Sequence, residues 1–145
     1  MKKGQAAMEF LMTYGWAILT VLIAIAALAY FGVLNPGKYM PSTCILESGL
    51  GCSDFKVTSL NDQISLIIKN GMGEDLSSFS ISIGGECVGS DNVSTFIDGT
   101  EETFVIDCAN ILAGSRIKED IFVSYVAMSG MEHTKLGSIS SRVEE

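Results

Sequence analysis

KKGQAAMEFLMTYGWAILTVLIAIAALAYFGVL, residues 2–34, carries two lysines, then one glutamate, then 25 residues from Phe10 to Leu34 without a charge. A helix of that length rises roughly 37 Å at ~1.5 Å per residue, more than the ~30 Å hydrocarbon core of a bilayer. The segment is therefore expected to span a membrane with some tilt. Positive residues beside a span stay cytoplasmic, so Lys2 and Lys3 place everything after Leu34 outside the cell. A secretory signal has a shorter apolar region, about 7 to 15 residues, followed by small residues at the cleavage site. Ala24-Ile25-Ala26 and Ala27-Leu28-Ala29 supply such triplets, and they keep open a rival reading in which the downstream chain is released.

Glu9 stands at the membrane edge, just before the uncharged run. An ionisable group there is expensive and marks a function unless it merely snorkels to the headgroups. The residues around it decide between these. Lys3-Gly4-Gln5-Ala6-Ala7-Met8-Glu9-Phe10 resembles the class III signal peptide of archaeal type IV pilins, in which a short basic leader ending in glycine is cut before glutamine and a Q-x-S-x-E-F motif opens the mature chain. Lys3, Gly4, Gln5, Glu9 and Phe10 match, while Ala7 replaces the preferred serine.

The resemblance implies a prepilin peptidase that cuts between Gly4 and Gln5 and leaves the apolar helix on the mature chain. It implies further that the helix leaves the bilayer and packs with its copies into a filament, driven by a pilus assembly ATPase and a membrane platform protein. The Glu9 carboxylate would pair with the N-terminal amine of a neighbouring subunit and help set the axial register, with Phe10 beside it. Gln5 complicates that pairing, since an N-terminal glutamine can cyclise and lose its charge. Archaellins share the leader and the helix-plus-sandwich plan but usually lack the acid found here at Glu9.

Thr13, Ala17, Thr20, Ala24 and Ala27 fall at spacings of 4, 3, 4 and 3 and form a stripe of small residues along one helix face. Such stripes let apolar helices approach closely, although alanine and threonine are common in any membrane helix. Trp16 and Tyr14 read as interfacial or filament-core aromatics.

Beyond Leu34 the chain has 16 acidic and 7 basic residues. A domain so acidic repels the phosphates of nucleic acid, and no nucleic-acid partner is expected. Asn35-Pro36-Gly37 is expected to stop the helix, because the residue before proline is biased away from helical angles. The expected boundaries are a leader at 1–4, a helix at 5–34, a linker at 35–43 and a head domain at 44–145.

In the head the apolar pattern changes to alternation. Ser78-Phe79-Ser80-Ile81-Ser82-Ile83 is the cleanest example, with Ile64 to Ile68, Phe104 and Ile106, Ile121, Val123 and Tyr125, and more weakly Leu136 to Val143. Apolar residues at every second position mark strands with one buried face. Asn70-Gly71-Met72-Gly73, Gly84-Gly85, Asp98-Gly99 and Ser129-Gly130 are the turn signals between them. Six or seven short strands in this length predict an α+β chain: a long N-terminal hydrophobic helix followed by an all-β, immunoglobulin-like sandwich.

Four cysteines allow three pairings, and an exported domain permits disulfides. Cys44 with Cys52 would close a small loop at the domain entrance. Cys87 shares parity with Phe79, Ile81 and Ile83, and Cys108 with Phe104 and Ile106, so both face the core if those strands run on, and the expected pairs are Cys44 with Cys52 and Cys87 with Cys108. A zinc site is disfavoured by the spacings and the lack of a C-x-x-C pair. Asn92-Val93-Ser94 is an N-x-S sequon, and Gly89 to Asn92 reads as a loop that could bear a glycan.

No enzyme argument emerges. His133 is the one histidine and sits in a polar turn-like stretch; no G-x-S-x-G elbow accompanies the serines. Glu74-Asp75, Glu101-Glu102 and Glu119-Asp120 are adjacent pairs whose side chains would point to opposite faces of a strand. The expectation is thus a structural filament subunit without cofactor or catalytic residue, membrane-inserted as a precursor and then extracellular, forming a homo-oligomeric pilus whose acidic head serves surface adhesion. The alternative is a single-pass or secreted β-sandwich that binds a solute or polymer and never polymerises.

Overall fold

The computed structural model describes residues 2–34, 37, 39–85 and 87–145. The chain divides into two compact units, Met1–Met40 and Pro41–Glu145. In the first, helix α1 (Lys2–Tyr30) contains residues 2–4 of the leader and the apolar run as far as Tyr30. No side chain in its apolar window is buried, and it is long and apolar enough to cross a membrane.

The helix ends at Tyr30 and not, as expected, at Leu34. The Gly32 amide donates to the Ala29 carbonyl and the Val33 amide to the Leu28 carbonyl, with Gly32 at φ 71°. This is a Schellman cap, in which a left-handed glycine satisfies carbonyls at the helix end. Asn35 and Pro36, the expected stop, lie outside the described residues, as does Lys38 of the linker.

The second unit is a β-sandwich of eight strands: β1 (Thr43–Leu46), β2 (Leu50–Thr58), β3 (Gln63–Asn70), β4 (Leu76–Ile83), β5 (Gly89–Phe96), β6 (Glu101–Asp107), β7 (Arg116–Val126) and β8 (Glu132–Arg142). One antiparallel sheet has the order β1-β8-β7-β4-β5 and the other β2-β3-β6. Counted from β2, the first, second and fifth strands face the third, sixth and seventh, as in immunoglobulin-like sandwiches, and the fourth joins the latter sheet.

Alternation is what builds the core. Ile64, Leu66 and Ile68 of β3, Phe79, Ile81 and Ile83 of β4, Phe104 and Ile106 of β6, and Ile121, Val123 and Tyr125 of β7 are all buried. Phe79, Phe96 and Phe104, from three strands in both sheets, meet at ring separations of 4.9, 5.2 and 6.1 Å. Edge-to-face and tilted contacts of this kind add to the area they bury.

Strand β5 corrects the sequence reading, which made Gly89 to Asn92 a loop. Its inward positions include Gly89 and Asp91 as well as Val93 and Phe96, so the alternation is broken. At Gly89 a Cβ would collide with the Asp107 carbonyl oxygen at the end of β6. Asp91 accepts from the Val105 amide at 2.9 Å, so a carboxylate satisfies the edge of the opposite sheet. Short β1 was likewise not foreseen.

Cys44 is bonded to Cys52 and Cys87 to Cys108. Cys44 lies on β1 and Cys52 on β2, one in each sheet. Cys87 precedes β5 and Cys108 follows β6, again joining the two sheets. Each bridge therefore closes one of the two lateral seams of the sandwich, which is more than the small entrance loop expected of Cys44 and Cys52.

Asn70, fully buried at the end of β3, ties the turns beyond it. Its side-chain amide donates to the carbonyls of Glu74 (3.0 Å) and Phe96 (2.9 Å), and its Oδ1 accepts from the Met72 amide (3.0 Å). Its main chain pairs with Thr100 and Gly99. Replacement by leucine leaves the buried Phe96 carbonyl and the half-buried Glu74 carbonyl and Met72 amide without these bonds, and Asn70→Leu should lower unfolding free energy by about 3 kcal/mol, read from urea denaturation. Removing the Cys87–Cys108 bridge as a double alanine variant should cost about 3 kcal/mol, and Cys44–Cys52, which closes a shorter loop, somewhat less; the reverse ranking would mean that loop closure in the unfolded chain does not set the contribution of these bridges.

Candidate functional site

The residues of the leader motif all fall on α1. Gly4, Gln5, Glu9 and Phe10 are exposed, and no atom beyond the helix backbone lies within 4 Å of where a Cβ on Gly4 would stand. The bond between the exposed Gly4 and Gln5 lies within helical backbone.

One turn on, the Thr13 hydroxyl donates to the Glu9 carbonyl at 2.8 Å, and the Thr20 hydroxyl to the Ala17 carbonyl at 2.8 Å. Both threonines of the small-residue stripe thus bond within their own helix, which removes the main penalty for placing a hydroxyl among hydrocarbon. Phe10 and Tyr14 touch at 4.9 Å, as residues four apart on a helix do. They head a shallow apolar groove continued by Ala17, Ile18, Val21 and Leu22. The sequence reading singled out the small residues and missed this groove. Its signal was the aromatic pair four residues apart, followed three residues later by alanine.

Asn92 is exposed on β5, with Ser94 on the same side. The acidic pairs serve as fasteners. Glu74 accepts from the Met128 amide (3.3 Å), Asp75 from the Asp98 amide (2.8 Å), Asp98 from the Gly73 amide (2.9 Å) and Glu101 from the Ser53 hydroxyl (2.7 Å). Glu119 and Asp120 face opposite sides of β7, the first buried and the second exposed. Among the described residues no group of three or more His, Cys, Asp or Glu side chains could hold a metal ion.

His133 is exposed and stacks on Tyr125, its cross-strand partner, at 5.5 Å. Tyr125 is buried. Desolvation first, then the Glu74 and Glu47 carboxylates, push its phenol above the ordinary tyrosine value. Compared with models of known protein families and with curated proteins, the sequence matches none.

The raised phenol has a consequence for stability. A group whose pKa is higher folded than unfolded contributes fully below the unfolded value, about 10 for tyrosine, and loses that contribution as pH rises through the folded value. Urea unfolding should therefore show stability falling above about pH 10, and Tyr125→Phe should flatten this decline while leaving neutral pH little changed.

Proposed function

We propose that this chain is the structural subunit of an archaeal type IV pilus. The observation that carries the reading is a helix with no buried side chain in its apolar window, headed by Gly4, Gln5 and Glu9, on a chain whose second unit is a disulfide-closed sandwich. So much apolar surface needs a non-aqueous surrounding. A bilayer supplies it before assembly and the helices of neighbouring subunits supply it after. The disulfides favour an oxidising, extracellular position for the head.

In this reading the prepilin peptidase cuts the exposed Gly4–Gln5 bond. Glycine weakens a helix by roughly 0.5–1 kcal/mol relative to alanine, which favours local opening of this turn for the peptidase. Glu9, the first carboxylate of the mature chain, then pairs with the amine of an adjacent subunit as the assembly ATPase and platform protein extract the helix. The groove from Phe10 to Leu22 and the stripe from Thr13 to Ala27 are the surfaces on which copies pack. The acidic sandwich forms the outer wall and serves adhesion.

The experiment combines the N-terminal mass of the protein from its native cells with imaging of the Glu9→Ala variant. The mature chain should begin at Gln5, free or cyclised. Glu9→Ala should still be cut there but yield at least roughly tenfold fewer filaments, equivalent to a loss of about 1.4 kcal/mol per subunit contact or more. A chain beginning near Ala27 or Tyr30 would replace this reading with a secreted sandwich, and abundant filaments from Glu9→Ala would remove the role given to that carboxylate.

A further inference from the structure

Both outer faces of the sandwich carry charge, but on the five-stranded sheet Arg116, Lys118, Asp120 and Arg142 lie toward one end and Glu132 at the other. The β2-β3-β6 face carries Asp54, Lys56, Lys69, Glu101 and Asp107, as a solvated surface does. On the other sheet, strand register sets Asn92, Ser80, Ser124 and Thr134 side by side across four strands, and Ser90, Ser82, Phe122 and Leu136 in the next row. Between Asp120 and Glu132 at its two ends, no described outward residue of these rows is charged, although the head is strongly acidic. Phe122 is 42 % and Leu136 51 % exposed. The Phe122 ring lies against Gly84, where a Cβ would come within 2.9 Å of Cε2.

A bulge in β4 between Ser77 and Ser80, with Ser78 at φ 49°, opens a shallow depression lined by Ser78, Phe79, Ser80, Asn92, Val93 and Ser94. The sequon asparagine stands at the rim of this dent, and the sequon serine beside it. Charge depletion marks an interface, but serine is depleted in the cores of protein interfaces. A neutral surface dense in hydroxyls, with an exposed aromatic ring, matches a neutral carbohydrate better than another protein. The carbohydrate with a fixed point of attachment here is one borne by Asn92.

We propose that Asn92 is N-glycosylated and that its glycan lies in the β4 dent and across the hydroxyl rows to Phe122 and Leu136. Phe122 is two strands across and one row along from Asn92, about 12 Å at ~4.8 Å per strand and ~3.4 Å per residue, within the reach of a short oligosaccharide. In the transfer step the Asn92 Nδ2 attacks the anomeric carbon of a lipid-phosphate-linked oligosaccharide. The N–C bond forms, the C–O bond to phosphate breaks, the lipid phosphate leaves with the electron pair, and one amide proton passes to base. The proposal shares with the pilus reading only the export of the head.

Glycopeptide mass spectrometry of the full chain from its native cells tests the attachment, and hydroxyl-radical footprinting tests the placement. The peptide containing Asn92 should carry hexose- or hexosamine-type mass, and both Asn92→Gln and Ser94→Ala should remove it. Oxidation of Phe122 and Leu136 should then rise severalfold in both variants, while Val105 on the opposite face stays unchanged. An unmodified Asn92 overturns the proposal. So does a modified Asn92 whose loss leaves Phe122 oxidation unaltered, or protection of Phe122 that persists in both variants and tracks filament assembly, which would make the face an interface between copies. Processing at Gln5 and filament yield are scored separately, so failure of the pilus reading leaves this result interpretable.

Discussion

The head depends on keeping two sheets pressed together along both of their sides. In the middle this is the ordinary burial of aliphatic side chains, but a sandwich of five strands facing three has lateral seams where water can enter. At the β5–β6 side, Phe79, Phe96 and Phe104 fill the interior, and Cys87–Cys108 and the Asp91 carboxylate join the sheet edges. At the β1–β2 side the Cys44–Cys52 bridge does the same. The C-terminal tail adds to it, with the Glu144 amide donating to Val57 and the Ser59 amide to Glu144. An aromatic side chain buried here contributes roughly 1.5–3 kcal/mol, and the bridges restrict the unfolded chain.

The helix answers the opposite problem. Its backbone bonds are internal, its threonines bond to their own carbonyls, and Gly32 caps its end, so what remains on its outside is almost wholly apolar. A segment built this way is at ease in hydrocarbon or among its own copies and ill at ease in water. Joined to a water-facing acidic domain, it gives a chain whose two units ask for different surroundings. A filament with an apolar core and a polar wall satisfies both demands at once.

Charge on the head is partitioned. One outer face and the turns carry the acids, several of them holding loop amides through Glu74, Asp75 and Asp98. The other outer face has charges toward its two ends, and between them two rows of hydroxyls with Asn92, Phe122 and Leu136. Nothing in local strand physics requires these uncharged rows, since serine has no special liking for strands.

The sequence by itself determined the membrane-compatible helix, because an uncharged run of that length has few other uses, and it determined the β class of the head through the alternation around Phe79, Phe104 and Val123. The expected cysteine pairs form, although β4 ends at Ile83 and β6 at Asp107, so Cys87 and Cys108 lie beyond the strands whose parity was extended to them. The leader motif was legible as a resemblance, and the role it implies for Glu9 rests there still. What only the tertiary structure decided lay at edges and ends. The helix ended at Tyr30, where left-handed Gly32 closed its last carbonyls. Strand β5 was hidden because its inward side meets the neighbouring sheet with a glycine and an aspartate in place of aliphatics. That the bridges seal opposite seams, and that Asn92 shares a face with Phe122, depend on which strands lie side by side, a non-local choice set by packing that no local pattern records.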